Sequence, residues 1–257
     1  MMNAIIHHFP KERGHTYAFL KDARNTAHIY LLADVDASAI KAARLAIDGV
    51  DGSKISYVSF IIKAAAQVIA TTKEARMVLK DGLSPKLVTT PNVTAKVLFD
   101  KHIGHTRCVV SGTVNDPDLV SLREIQASVD LHKAASVGPS GPFAALSKLH
   151  RLPLPLMRLA YNLVLGKPLK RAALQGNFSV TSVGQEEVSA ILPMIAGTIG
   201  LGVGRITEKP VVVDGQIVVR PQFTLSLTFD HRVLDGALAA EILGSIKKRL
   251  ENWEIEQ

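Results

Sequence analysis

Leu227-Thr228-Phe229-Asp230-His231-Arg232-Val233-Leu234-Asp235-Gly236 is the stretch on which the reading of this chain turns. An apolar, strand-like run from Phe223 to Phe229 stops there, and a helix-like run from Ala237 to Leu250 begins just after it. In that second run Ala240, Leu243, Ile246 and Leu250 repeat at helical spacing, and Lys247, Lys248 and Arg249 fall in the last turns, where cations suit the helix dipole. Histidine is the side chain best suited to accept and return a proton near neutral pH, so His231 is a candidate base. Asp235 has two readings: a carboxylate that keeps the site in shape, or the N-cap of the following helix. Spacing alone favours the cap.

Working outward, the chain alternates helical and strand patterns. Tyr17 to Arg24 reads as a helix, His28 to Val35 as a strand, Asp36 to Ile47 as a helix and Tyr57 to Ala70 as an apolar one. A polar turn follows around Asp81-Gly82, then strands at Val93 to Phe99 and Arg107 to Val114. Leu119 to Ala135 reads as a helix begun by Asp116-Pro117-Asp118, and Ser136 to Pro142 as a loop. The last third predicts strands near Asn177–Val180, Ile199–Ile206, Pro210–Val213, Gln216–Val219 and Phe223–Phe229. Asp214-Gly215 is the clearest hairpin signal.

Composition narrows the class. The 257 residues are 47% apolar, enough for a sizeable core, and carry a net charge of +7. Aromatic residues make up 5% and the cations are dispersed, which argues against nucleic-acid binding; the basic balance suits a polyanionic small molecule equally well. There is no secretory leader and no apolar run long enough to span a membrane, so the expected location is cytoplasmic. Cys108 is the single cysteine; flanked by Val109 and Val110, it reads as a buried small hydrophobe. No metal site is expected: His102 and His105 lack a completing carboxylate and read as part of a turn. Gly200-x-Gly202-x-Gly204 lacks dinucleotide-loop spacing and marks close backbone packing.

The opening stretch resembles the D-H-R-x-x-D-G-A signature of the acyltransferase (E2) catalytic domains of 2-oxo acid dehydrogenase complexes; chloramphenicol acetyltransferases share a related H-x-x-x-D-G form. Further segments resemble the family in the same order. Tyr57 to Ala70 is similar to its F-L-I-K-A-A-A helix, and Gln175 to Gly184 to G-G-T-F-T-I-S-N-L-G. Pro193 to Ile206 is similar to P-x-x-A-I-L-G-V-G-x-I, and Glu74 to Gly82 resembles a stretch of the chloramphenicol enzymes. The likeness covers most of the chain, most strongly the last third.

That resemblance implies a chloramphenicol acetyltransferase-like α/β fold: a two-layer sandwich of mixed β-sheet and packed helices, as one domain over 1–257. It implies a homotrimer or higher assembly of trimers, with active sites at subunit interfaces. It also implies acyl transfer between coenzyme A and a thiol, hydroxyl or amine, with His231 as general base and Thr181 as the hydroxyl that donates to the oxyanion. Ser179 and Ser182 are the neighbouring alternatives. Asp235 becomes loop support, ion-pairing with an N-terminal arginine, Arg13 or Arg24. No residues are assigned to coenzyme A. Neither a lipoyl domain nor a subunit-binding domain is recognised, so a free-standing catalytic domain is expected, with no covalent lipoyl group. Three functions stay open: a small-molecule acyltransferase, an E2 subunit serving a lipoyl protein on a separate chain, and a non-catalytic trimeric scaffold.

Two departures from the family concern substrate. Thr106 to Val114 replaces the usual G-L-I-V-P-V-I strand, and Ser136 to Leu174 lacks the expected compact pattern. His150 to Leu165 is apolar enough to pack a neighbour, line an acyl tunnel or touch a membrane surface; a packed subunit contact is the expectation.

Overall fold

The computed structural model describes residues 5–51 and 54–254. A short 3₁₀ turn, Lys11–Arg13, leads into α1 (Gly14–Ala23), β1 (His28–Asp36), α2 (Ser38–Asp51) and α3 (Tyr57–Thr71). Next come β2 (Met77–Lys80), β3 (Lys86–Thr89), β4 (Thr94–Ile103), β5 (Thr106–Asn115) and α4 (Leu122–Ala134). Three shorter helices follow, α5 (Ala144–His150), α6 (Leu154–Leu165) and α7 (Pro168–Gln175). The chain then forms β6 (Phe178–Ser182), β7 (Ile199–Val203), β8 (Thr207–Val213), β9 (Gln216–Asp230) and α8 (Gly236–Glu251).

Among the described residues the main sheet has seven strands in the order β1-β9-β7-β6-β4-β5, with β8 paired to β9. It is mixed: β6 runs parallel to β4 and β7, while β1, β7 and β8 pair antiparallel with β9, and β5 antiparallel with β4. Alternation on β9 explains the layering. Phe223, Leu225, Leu227 and Phe229 are fully buried in the core shared with α2, α3 and α8, each burial contributing about 1.5–3 kcal/mol. Ser226, Thr228 and Asp230 point to the other face.

Helix α3 is the centre of the first layer. Ser56 caps it, accepting from the Ser59 N–H, and its one lysine, Lys63, is buried with Nζ donating to Asp118 O at 3.0 Å and Val120 O at 2.7 Å. Burial of that side chain is tolerated because carbonyl oxygens accept its hydrogen bonds.

The structure corrects several boundaries. The helix expected from Leu119 begins at Leu122, because Ser121 and Glu124 form a capping box and Asp116, at φ 48, belongs to a preceding turn. The polar turn at Asp81-Gly82 joins a two-stranded hairpin, β2–β3. The two strands expected between 216 and 229 are one, since β9 exchanges partners along its length: Gln216–Gln222 pair with β8 and Gln222–Asp230 with β1. The Asp214-Gly215 turn has positive φ at both residues, 51 and 78, as a two-residue hairpin loop requires.

The glycines of β7 are required by close approach. A Cβ on Gly202 would lie 2.0 Å from Ile191 O and 2.4 Å from Ser226 Oγ, so the backbone before β7 crosses directly over its second face. The Gly202→Ala variant should therefore lose roughly 2–3 kcal/mol, because the nearest obstacle, Ile191 O, is backbone and cannot swing away. A fall of about 5–10 °C in Tm by calorimetry is expected; an unchanged Tm would show that the crossing segment yields freely.

Candidate active site

His231 lies where β9 leaves the sheet, on a turn fixed by its backbone. The His231 N–H donates to Ala27 O at 2.9 Å, and the Asp230 N–H to Thr198 O at 3.1 Å. The buried Asp230 carboxylate accepts from Arg232 twice, Nε to Oδ1 at 2.9 Å and Nη2 to Oδ2 at 2.7 Å, and from the Arg232 backbone N–H at 3.1 Å. Arg232 Nη1 donates onward to Asp81 Oδ2 at 3.1 Å, tying the turn to the β2–β3 hairpin. This paired geometry is the strong form of a charge-assisted bond. Its hydrogen bond to Asp230, aided by both carboxylate charges, holds the guanidinium proton more tightly than usual.

The imidazole itself faces outward. Its side chain is 45% exposed and its ring centroid lies 5.5 Å from that of Phe229. Asp235 Oδ1 stands 3.8 Å from His231 Nδ1, near enough for an ionic attraction and too far for a hydrogen bond. The Asp235 backbone has N-cap geometry, φ −87 and ψ 157, but its side chain makes no capping bond and is 92% exposed. Among the described residues it pairs with neither Arg13 nor Arg24. Within this chain the arginine-braced carboxylate is Asp230, inside the signature but overlooked as loop support. Its signal was an acid ending an otherwise apolar strand, with an arginine two residues on.

Thr181 sits on β6 with its side chain on the second face, opposite to buried Phe178 and Val180. Among the described residues neither its hydroxyl nor that of Ser179 has a hydrogen-bond partner, whereas Ser182 Oγ accepts from the Gly184 N–H at 3.3 Å. The sheet register separates Thr181 from His231. Thr181 is opposite Gly202, and Gly202 opposite Ser226, five residues before His231. At the usual rise and strand spacing, that is about 17 Å along the strands and about 10 Å across them. One chain does not bring the two side chains together.

A cleft of about 150 Å³ lies beside the His231 turn, lined in part by Asp22, Asp81, Leu165, Arg171 and Arg232. Its two arginines are both engaged, Arg232 as above and Arg171 with Asp22 at 2.9 and 3.1 Å. The described residues contain no grouping of three metal-ligating side chains.

Against known proteins, residues 164–255 match the family model for 2-oxoacid dehydrogenases acyltransferase (catalytic domain). A 55-residue stretch is 51% identical to the dihydrolipoyllysine-residue acetyltransferase component of the pyruvate dehydrogenase complex of Staphylococcus aureus, covering 21% of this chain and 13% of that protein. The fold of nearly the whole chain is that of a probable dihydrolipoamide acetyltransferase from Listeria monocytogenes, with TM-score 0.72, 20% identity and coverage of 99% and 96% of the two chains. It is also that of the cubic core of the pyruvate dehydrogenase multienzyme complex, with TM-score 0.70, 22% identity and coverage of 96% and 92%. Chloramphenicol acetyltransferase gives TM-score 0.50 at 12% identity over 98% and 99%.

The fold is thus the chloramphenicol acetyltransferase-like α/β class, with its mixed sheet and packed helices. The family match covers residues 164–255, and over the rest of the chain the likeness is one of fold.

The sequence reading also missed Lys96. It lies on β4 opposite Ser179, on the second face, buried beneath α1 and α7. Its Nζ donates to Gln175 Oε1 at 2.5 Å and stands 4.7 Å above the Phe19 ring, while Gln175 Nε2 donates to Tyr161 OH at 3.0 Å. Alternation with core residues Ala95 and Val97 marks it as facing the other side; nothing local marks it as buried. Burial lowers its pKa to about 8, against the pull of the Asp22 carboxylate. Between pH 8 and 10.5 the unfolded chain retains a proton that the folded chain has released, so stability rises with pH across that window. The rise should amount to about 3 kcal/mol. Urea unfolding through that pH range should show this slope in the wild type and lose it in Lys96→Met. An identical slope in both proteins would assign it to other groups.

Proposed function

We propose that this chain, acting as one catalytic domain, moves an acyl group between a coenzyme A thioester and a thiol, hydroxyl or amine acceptor. The reading rests above all on His231, a half-exposed imidazole on a rigidly braced turn within the family match. His231 accepts the acceptor's proton as its sulfur, oxygen or nitrogen attacks the thioester carbonyl. The oxyanion receives a hydrogen bond from Thr181, worth about 10²–10³ in rate. On collapse the carbon–sulfur bond breaks, and protonated His231 returns the proton to the departing coenzyme A thiolate.

The distance between Thr181 and His231 makes this a shared site. We infer that His231 of one copy faces Thr181 of another, in a trimer or an assembly of trimers, within the cytoplasm. Asp235 then sits at the same junction, four residues from His231. In the Azotobacter vinelandii dihydrolipoamide acetyltransferase a histidine and an asparagine with that spacing, and a serine, were investigated for roles in catalysis. Its similarity to this chain, 22% identity with TM-score 0.69, covers 96% of this chain and 92% of that one. The second reading, an E2 subunit acting on lipoyl groups carried by a separate chain, is favoured by the Staphylococcus match.

Release of free coenzyme A from a panel of acyl-CoAs, with and without dihydrolipoamide, separates these functions. Turnover that requires dihydrolipoamide favours the E2 reading; turnover with other acceptors favours a small-molecule enzyme; none across the panel leaves a non-catalytic scaffold. His231→Ala should lower turnover by about 10²–10⁴, and Thr181→Ala by about 10²–10³, with Ser179→Ala close to wild type. Co-refolding the two inactive variants in equal amounts should restore about one quarter of the sites if they are built between copies in a cyclic trimer. No recovery would sink the shared-site arrangement.

A further inference from the structure

Residues 131–185 contain no aspartate or glutamate but hold seven of the chain's 30 lysines and arginines. The other 23 cations are matched by the chain's 23 acids, so the whole net charge of +7 resides in this stretch. Helices α5, α6 and α7 lie within it.

Helix α6 has two unlike faces. Its inner face packs on α1: Met157 and Leu165 are buried, Gly14 leaves room for the Met157 thioether, and the Arg158 guanidinium lies 6.0 Å from the Tyr17 ring centroid. The outer stripe is Leu156, Leu159 and Leu163, stepping by three and four residues and 52 to 65% exposed, with Leu152 exposed in the turn just before the helix. Lys148 and Arg151 precede it and Lys167 and Lys170 follow it; all four are exposed, and among the described residues none is in an ion pair. No helix of the described residues is long and apolar enough to cross a membrane.

We propose that this leucine stripe and its flanking cations form a docking surface for an anionic phospholipid bilayer, with α6 lying in the plane of the interface. Apolar side chains enter the headgroup boundary while flanking lysines and arginines meet lipid phosphates. The acid-free basic charge complements anionic headgroups and disfavours a face-to-face pairing of two copies. A symmetric contact through the stripe would set an acid-free basic surface against itself. The proposal goes beyond acyl transfer and holds whether or not that reading does.

Flotation with vesicles tests it. The wild-type protein should rise with phosphatidylcholine vesicles containing phosphatidylglycerol, not with phosphatidylcholine alone, and less as salt is raised. Lys148→Gln, Arg151→Gln, Lys167→Gln and Lys170→Gln together should weaken binding by about fivefold per charge that reaches the surface. Leu156→Ser, Leu159→Ser and Leu163→Ser together should weaken it by roughly tenfold or more, with unchanged circular dichroism. Absence of wild-type binding to anionic vesicles, or equal binding by wild type and both variants, overturns the proposal. So does a changed particle mass in the leucine variant by light scattering, which would make the stripe a contact between protein chains.

Discussion

The backbone before β7 lies directly on that strand, and the site side of the sheet depends on this approach. Only a bare Cα at Gly202 admits Ile191 O, and the Ser226 hydroxyl answers it by donating to the same oxygen at 2.5 Å. A helix could not come so near. Ser226 of β9 is therefore covered by main chain, whose carbonyl accepts its hydroxyl hydrogen bond. The Ile195 N–H also donates to His28 Nε2 at 3.0 Å, pinning the crossing segment to the outermost strand, β1. The end of β9 is thereby fixed from both sides, and His231 inherits that rigidity.

The two carboxylates of the signature divide their work by solvent access. Asp230 is buried, so an unpaired charge there would be costly, and Arg232 meets it through two side-chain nitrogens and the backbone. Such a pair fixes the geometry of the turn more than it stabilises the fold. Asp235 is open to water, where an attraction across 3.8 Å to an imidazole is weak. Its influence on His231 grows only where another surface excludes solvent. That contrast agrees with a histidine that acts against a neighbouring copy.

Elements with a repeating pattern were legible in the sequence; those set by pairing partners were not. The period-two row Phe223 to Phe229 marks the second half of β9, and the helical spacing of Ala240 to Leu250 marks α8. β9 passes through Pro221 because β1 pairing starts only at Gln222, so no ladder bond needs the missing N–H, while the Pro221 carbonyl accepts from the Ala37 N–H at 2.8 Å just past the end of β1. The hairpin β2–β3 was missed because four-residue strands with lysines at their ends carry no usable alternation. His231 stood out through its motif. The separation of Thr181 from His231 could not be read locally, since it follows from the order in which β6, β7 and β9 assemble.

Helices α6 and α7 depart from the usual placement of side chains. Beside the buried Met157, Leu165 and Ala172, their inward contacts include polar ones: Arg171 with Asp22, Tyr161 with Gln175, and Gln175 with the buried Lys96. Leu156, Leu159 and Leu163 of α6 point outward, and Leu169 and Leu174 of α7 continue that apolar exposure. In water this arrangement is unfavourable on both counts, since it desolvates a lysine and hydrates leucines. The polar contacts hold the helices against the sheet without spending the leucines on the core. Those leucines remain free for a surface, and the acid-free charge around them sets the sign of the surface they fit.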